Sequence, residues 1–255
     1  MPIEIEQFRC LETNIGLLFR DTESDEVAAV DAPDADAVRA ALERRNWELR
    51  HIFVTHSHPD HIQGIDGLRR HYACRVVAPE KSRELVREAD LWIDEGDVVR
   101  VGGTHFHVLA TPGHCTDHVA YWAKALNIAF VGDVLFAVGC GRVFGGNYAA
   151  MYNSLQRVKA MPDETQVYFG HDYAVNNGRF ALAAEPGNAD LTARLKLVDE
   201  TKKAGKLFSP VTLADEKRTN PFLRTDAPAV AAMVKLSPTD GEAVFRALRD
   251  WKDRF

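Results

Sequence analysis

His56, His58, Asp60 and His61 fall within six consecutive positions of the segment Thr55-His56-Ser57-His58-Pro59-Asp60-His61. Imidazole nitrogens and carboxylate oxygens are the ordinary ligands of zinc, manganese and iron. Packing does not explain three histidines so close together, because each would need its own buried polar partner. The segment therefore reads as part of a metal site. Three later residues repeat one arrangement, a ligand type set just beyond an apolar run. His114 lies in Thr111-Pro112-Gly113-His114, where a Pro-Gly turn stiffens the backbone and aims one side chain. Asp133 closes the apolar run Ile128-Ala129-Phe130-Val131-Gly132, and His171 follows Val167-Tyr168-Phe169-Gly170. Of the other histidines, His51, His71, His105 and His107 read as surface or packing residues. His118 fits either a supporting hydrogen bond or a cap on the next strand, and it is left out of the ligand set.

Something rigid must hold these residues, and the pattern of apolar runs predicts what. Ile15–Phe19 and Val27–Asp31 read as strands around the turn formers of Asp21–Asp25. Ala35–Glu43 has the spacing of an amphipathic helix, with Val38, Ala41 and Leu42 on one face. His51–Thr55 is a short strand that ends at the histidine cluster, and a helix is predicted from about Ile62 to His71. Arg75–Ala78, Val98–Val101, Phe106–Leu109 and Ala129–Val131 complete a strand-rich body. The candidate ligands thus sit at strand ends and in the loops that follow, where a sheet fixes reactive groups. Beyond Tyr173 strands are scarce; Leu191–Lys203, Ala227–Met233 and Gly241–Lys252 are predicted helices.

Composition narrows the class. The 255 residues, 46% hydrophobic and 27% charged, are ordinary for a globular protein, and no apolar run is long enough to span a bilayer. The segment Met1–Glu6 is acidic and short of apolar residues, unlike a signal peptide, which makes the cytoplasm the expected compartment. Cys10, Cys74, Cys115 and Cys140 are scattered without a Cys-x-x-Cys pair, implying neither a disulfide framework nor a thiolate zinc site. A net charge of −6 argues against general nucleic-acid binding.

The motif His56-x-His58-x-Asp60-His61, followed in order by His114, Asp133 and His171, resembles the metallo-β-lactamase superfamily. Within it the chain resembles the glyoxalase II (hydroxyacylglutathione hydrolase) family. That likeness rests on Gly132–Phe136, Gly139-Cys140-Gly141-Arg142, Gly170–Tyr173, Asn176-Asn177, Glu185-Pro186-Gly187-Asn188, Asn220-Pro221-Phe222 and the terminal Arg249-x-x-Lys252-Asp253-x-Phe255. It spans essentially the whole chain. The resemblance implies an α/β (α+β) fold, the αβ/βα four-layer sandwich, over residues 1–172, and an all-α substrate-binding domain over 173–255. It implies two divalent ions, zinc first, with iron or manganese admitted by a mixed nitrogen and oxygen donor set. His56, His58 and His114 would hold one ion, Asp60, His61 and His171 the other, with Asp133 and a hydroxide bridging them. Asp60 and Asp133 would be the catalytic carboxylates.

The chemistry implied is hydrolysis of S-2-hydroxyacylglutathione thioesters, typically S-D-lactoylglutathione, to glutathione and a 2-hydroxy acid, in methylglyoxal detoxification. Two cations sharing a water make hydroxide available near neutral pH. A thiol pKa of roughly 8.5 lets the thiolate leave without a strong protein acid. Glutathione carries two carboxylates, and the resemblance assigns Arg142, Phe144, Tyr173, Arg249 and Lys252 to binding it. By composition alone Arg249 and Lys252 are a solvated helix face interleaved with Asp250 and Asp253. Phe144 stands where the family often has tyrosine, Arg142 where it often has lysine, and Asp172 where it usually has glutamate. A monomer acting on a small molecule, without nucleic acid or membrane, is expected. The alternatives are a single-iron glutathione persulfide dioxygenase, which needs only His56, His114 and Asp133, or another hydrolase of the same fold such as a lactonase or β-lactamase. From a different class, a noncatalytic metal-binding protein or a nucleic-acid-processing one is disfavoured by the full ligand set and the acidic charge.

Overall fold

The computed structural model describes residues 3–255; Met1 and Pro2, part of the segment read as unlike a signal peptide, lie outside the described residues. The chain folds into two compact units, one running to Ala110 and resuming at Thr116–Gly132, the other formed by Thr111–Cys115 and Asp133–Phe255.

In the first unit, β1 (Ile3–Cys10), β2 (Asn14–Asp21) and β3 (Val27–Val30) form an antiparallel meander. After β3 the chain crosses over through α1 (Ala35–Arg45) to β4 (Leu49–Phe53), which lies parallel to β3. A second crossover, α2 (Pro59–Ile62) and α3 (Ile65–Arg69), leads to parallel β5 (Arg75–Pro79) and β6 (Leu91–Ile93). Parallel strands end at the same edge of a sheet, so the loops after β3 and β4 emerge side by side. The predicted helix 62–71 is divided. The His61 carbonyl accepts from Ala32 N–H at 2.7 Å, and Gly64 N–H donates to Ala32 O at 2.8 Å, which interrupts the helical ladder. Gly64 is required there, since a Cβ would come 2.7 Å from Ala32 O.

A second, antiparallel layer is built from β7 (Val98–Val101), β8 (Thr104–Ala110), β9 (Val119–Ala123) and β10 (Ile128–Phe130). Aromatic side chains fill the space between the layers. Phe19 lies 4.9 Å from Phe106 and 5.3 Å from Phe130, and Phe53 lies 5.0 Å from Tyr121, ring centre to ring centre. Tyr121 also donates its hydroxyl to Val54 O at 2.6 Å, tying β9 to the residue just after β4. The opposite face of the first sheet, with Leu18, Ala29, Ile52 and Val76, packs against Val38, Ala41, Leu42 and Leu68 of the crossover helices. A strand buried on both faces reads as a continuous apolar run, which is why His51–Thr55 is visible in the sequence.

The second unit is mainly helical. A two-stranded hairpin, β11 (Leu135–Phe136) and β12 (Gly139–Cys140), precedes α4 (Tyr148–Lys159) and β13 (Gln166–Tyr168). Then come α5 (Ala174–Ala184), α6 (Ala189–Lys203), β14 (Val211–Thr212), which pairs with β13, and α7 (Leu213–Thr219), α8 (Pro228–Met233) and α9 (Gly241–Lys252). Among the described residues no helix is long and apolar enough to cross a membrane.

Candidate metal centre and substrate pocket

The histidine cluster follows β4 in the first unit. His56 and His61 are almost fully buried, and their rings lie 4.0 Å apart. His58 precedes α2, with its Nδ1 3.1 Å from His56 Nε2. The orienting group is Asp31, at the end of parallel β3 and in a left-handed backbone conformation (φ 60°). Its Oδ1 accepts Thr55 N–H at 2.7 Å, and its Oδ2 accepts Thr55 Oγ1–H at 2.7 Å. His61 Nδ1 lies 2.7 Å from the same Oδ2. That bond fixes the imidazole and turns its other nitrogen outward as a donor for a cation. Asn14 Nδ2 donates to the Asp60 carbonyl at 3.0 Å and to its Oδ2 at 3.1 Å, and Asp117 Oδ2 accepts Ser57 N–H at 2.9 Å. His118 supports the cluster from alongside, its ring 5.0 Å from that of His56. Gly132 (φ 47°) lets the backbone pass, since a Cβ would fall 2.7 Å from His118 Nε2 and 2.8 Å from Thr55 Oγ1.

In the second unit His114, Asp133 and His171 come together. His114 Nδ1 lies 2.9 Å from Arg142 O, which directs Nε2 to Asp133 Oδ2 at 3.5 Å. His171 Nε2 reaches the same oxygen at 3.3 Å and its ring stacks on Tyr173 at 4.9 Å. Gly113 and Gly141 allow the close approach: a Cβ would meet the Met151 backbone at 2.3 Å in the first case and Asp133 O at 2.1 Å in the second.

These separations test whether a divalent ion fits. Ligand atoms about 2.05 Å from a tetrahedral ion stand about 3.3 Å from one another. The His56–His58 distance of 3.1 Å, and the two imidazole contacts to Asp133 at 3.5 and 3.3 Å, match that spacing. Neutral imidazoles with carboxylates are also the donor chemistry a divalent cation takes. The donor set fits.

Beside His114 and Asp133, a cavity of about 480 Å³ is lined by all five residues expected to bind substrate, Arg142, Phe144, Tyr173, Arg249 and Lys252. Phe144 is 54% exposed, with its ring edge-on to His114 at 5.3 Å. Lys252 donates to Asn176 O at 3.3 Å and lies over the Phe180 ring. Burial, and then the neighbouring Arg249 charge, lower its pKa to about 8. Arg249 is buried and donates to Cys140 O at 3.1 Å and to Asp253. Cys140 is no nucleophile in waiting, because burial raises its thiol to about 11.

Asp31, Asp117 and Asn14 are the residues that sequence reading passes over, and Asp253 is one that it places in a motif without a role. For Asp31 a signal was present, a carboxylate closing an apolar strand, the same feature that singles out Asp133.

A model of the metallo-beta-lactamase superfamily matches residues 29–171. The chain is a member of that superfamily, with its αβ/βα sandwich followed by a helical C-terminal region. A model of the hydroxyacylglutathione hydrolase C-terminus takes up residues 172–255. Hydroxyacylglutathione hydrolase of Methylobacterium nodulans is 48% identical over 100% of both chains, and that of Rhodopseudomonas palustris strain HaA2 is 45% identical over 99% of both. Among solved structures, ETHE1 from Myxococcus xanthus superposes with a TM-score of 0.67 at 29% identity, covering 98% of this chain and 99% of its own. The chain belongs to the hydroxyacylglutathione hydrolase family.

Proposed function

We propose that the chain hydrolyses S-2-hydroxyacylglutathione thioesters, S-D-lactoylglutathione the typical case, to glutathione and a 2-hydroxy acid in methylglyoxal detoxification. The observation that carries this reading is the cavity in which Arg142, Arg249 and Lys252 share walls with His114 and Asp133. Three cations beside metal-ligand residues suit a substrate whose reacting carbonyl is tethered to a peptide with two carboxylates.

His56, His58 and His114 are assigned to one ion, Asp60, His61 and His171 to the other, and Asp133 to both, as the family likeness implies. Zinc is the proposed metal, with iron or manganese also suited to the donors. When bound, two such ions supply an acidified water and polarise the thioester carbonyl. The chain's own residues do the rest. Asp31 holds His61 in one orientation, and the Arg142 carbonyl does the same for His114. Asp60, itself held by Asn14, orients the attacking water, and Asp133 is the second catalytic carboxylate. Arg142, Arg249 and Lys252 form the cationic wall for substrate carboxylate, while Tyr173 and Phe144 provide aromatic wall. The leaving thiolate, with a thiol pKa of roughly 8.5, needs no protonating residue. We assign catalysis to residues 1–172, which also lend Arg142 and Phe144 to the pocket, and the remaining substrate binding to 173–255, in a cytoplasmic monomer.

A substrate panel tests the reading. S-D-lactoylglutathione, glutathione persulfide, a lactone and a chromogenic β-lactam are offered to the metal-loaded protein, with oxygen uptake monitored. Thioester cleavage is expected; oxygen consumption on persulfide without thioester cleavage would replace the hydrolase with the dioxygenase.

A further inference from the structure

Asp253 caps the end of α9, and one of its oxygens binds Arg249 and lies near Arg142, two of the three pocket cations. Its Oδ1 accepts from Arg249 Nε at 3.1 Å and from Arg249 Nη2 at 2.7 Å, and it lies 3.7 Å from Arg142 Nε. A guanidinium offers two forks, Nε with Nη2 and Nη1 with Nη2. In Arg249 the first fork is filled by Asp253, and Nη1 donates to Cys140 O at 3.1 Å. The Arg249 side chain is only 3% exposed. It is therefore a fixed cation that locks β12, the strand leading directly into Arg142.

Arg142 is the opposite case. Its side chain is 69% exposed, and two glycines with positive φ, Gly145 and Gly146, follow it in the same loop. The Asp253 carboxylate stands beside this exposed side chain, 3.7 Å from its Nε. We infer that Asp253 is a positioning residue for substrate specificity: it presets Arg142 and Arg249 so that a substrate carboxylate meets an ordered cationic rim. This rests on the thioester reading given above.

Two effects of removing Asp253 oppose each other. The rim would gain one net positive charge, but at a partly exposed site that gain is screened. Against it, Arg142 would have to be ordered anew at each binding event, and a long flexible side chain resists that. Ordering is the larger effect, so binding should weaken.

The test uses the metal-loaded full chain and the variants Asp253→Ala, Asp253→Asn, Arg142→Ala and the double variant Asp253→Ala/Arg142→Ala, each first shown by thermal unfolding to be folded. KM and kcat are measured on S-D-lactoylglutathione and on two analogues, each with one glutathione carboxylate converted to an amide. Asp253→Ala should raise KM about two- to fivefold, Asp253→Asn less, with the change confined to KM. On the analogue lacking the carboxylate that the rim reads, the KM ratio of variant to wild type should fall toward one. Arg142→Ala should add little on top of Asp253→Ala, because the two act as one unit. An equal KM ratio on all three substrates, full additivity, a lowered KM, or a fall in kcat alone would overturn the assignment. If the wild type cleaves none of the three thioesters, the thioester reading fails and takes this inference with it.

Discussion

Lys252 shows how one residue's surroundings set a testable property. Burial and the Arg249 charge both disfavour the ammonium form and bring its pKa to about 8. Below that pH the side chain is a cation that can pair with a substrate carboxylate; above it the amine is neutral and the pairing is lost. The substrate carboxylates stay ionised throughout, so kcat/KM should fall as pH rises through about 8. The limb belongs to the free protein, because a bound carboxylate stabilises the ammonium. In Lys252→Arg, whose guanidinium stays charged, that limb should disappear from the kcat/KM profile between pH 7 and 10; a limb unchanged in the variant would assign it to another group. At this scale the sequence shows residue types but not partners. Histidines clustered after a strand are visible because packing offers no reason for them. Asp31 is visible only as a carboxylate closing an apolar strand, Asp117 looks like an ordinary solvated acid, and Asp253 is visible only as part of a terminal motif. Their work is done through Thr55 and His61, Ser57, and Arg249 with Arg142, contacts that exist only once the chain has folded.

Among the elements, the hairpin β11–β12 depends on a buried ion pair. Glu216 of α7 is fully buried, and its carboxylate accepts Val138 N–H at 3.0 Å, Asn220 Nδ2 at 2.7 Å and Arg194 Nη2 of α6 at 2.5 Å. Burial raises its pKa, against the pull of Arg194. Val138, a β-branched residue at φ 50°, sits in the hairpin turn that this carboxylate holds. Removing one partner of such a pair strands the other without compensation. Glu216→Ala should therefore lower stability by about 3–5 kcal/mol in urea unfolding, and Glu216→Gln by less; a loss under about 1 kcal/mol would mean that the network is not holding the hairpin. Sequence periodicity finds α9 with the same bounds, Gly241–Lys252, because Asp240 caps a strongly two-faced helix. It assigns no element to α4, although Met151, Ser154, Leu155 and Val158 form its buried face. One of those four is a serine, whose hydroxyl donates to Pro112 O at 2.7 Å, so the apolar stripe is broken just where the helix grips the turn before His114. The strand β9 is missed for a related reason: Val119–Ala123 is short and nearly all buried, without the alternation that marks a strand.

At the scale of the molecule, the proposed ligands lie between His56 and His171, and a chain that must gather donors from such a span ties metal affinity to folding. Any ion that binds the native chain and not the unfolded one adds stability, about 4 kcal/mol at a thousandfold excess over its dissociation constant. For a domain of roughly this size each kcal/mol moves the thermal midpoint by about 2–4 °C. Chelation should therefore abolish thioester cleavage and lower the midpoint by about 8–16 °C, with both restored by stoichiometric zinc. The variant Asp31→Asn sharpens the test, because Asp31 lies outside the substrate pocket and acts on His61 and on the backbone and hydroxyl of Thr55. Loss of such an orienting carboxylate typically costs about 10–100-fold in metal affinity. The variant should thus surrender its metal at a correspondingly lower chelator concentration. An activity that survives chelation, or a midpoint indifferent to it, would leave the histidine and carboxylate arrangement without the role its spacing supports.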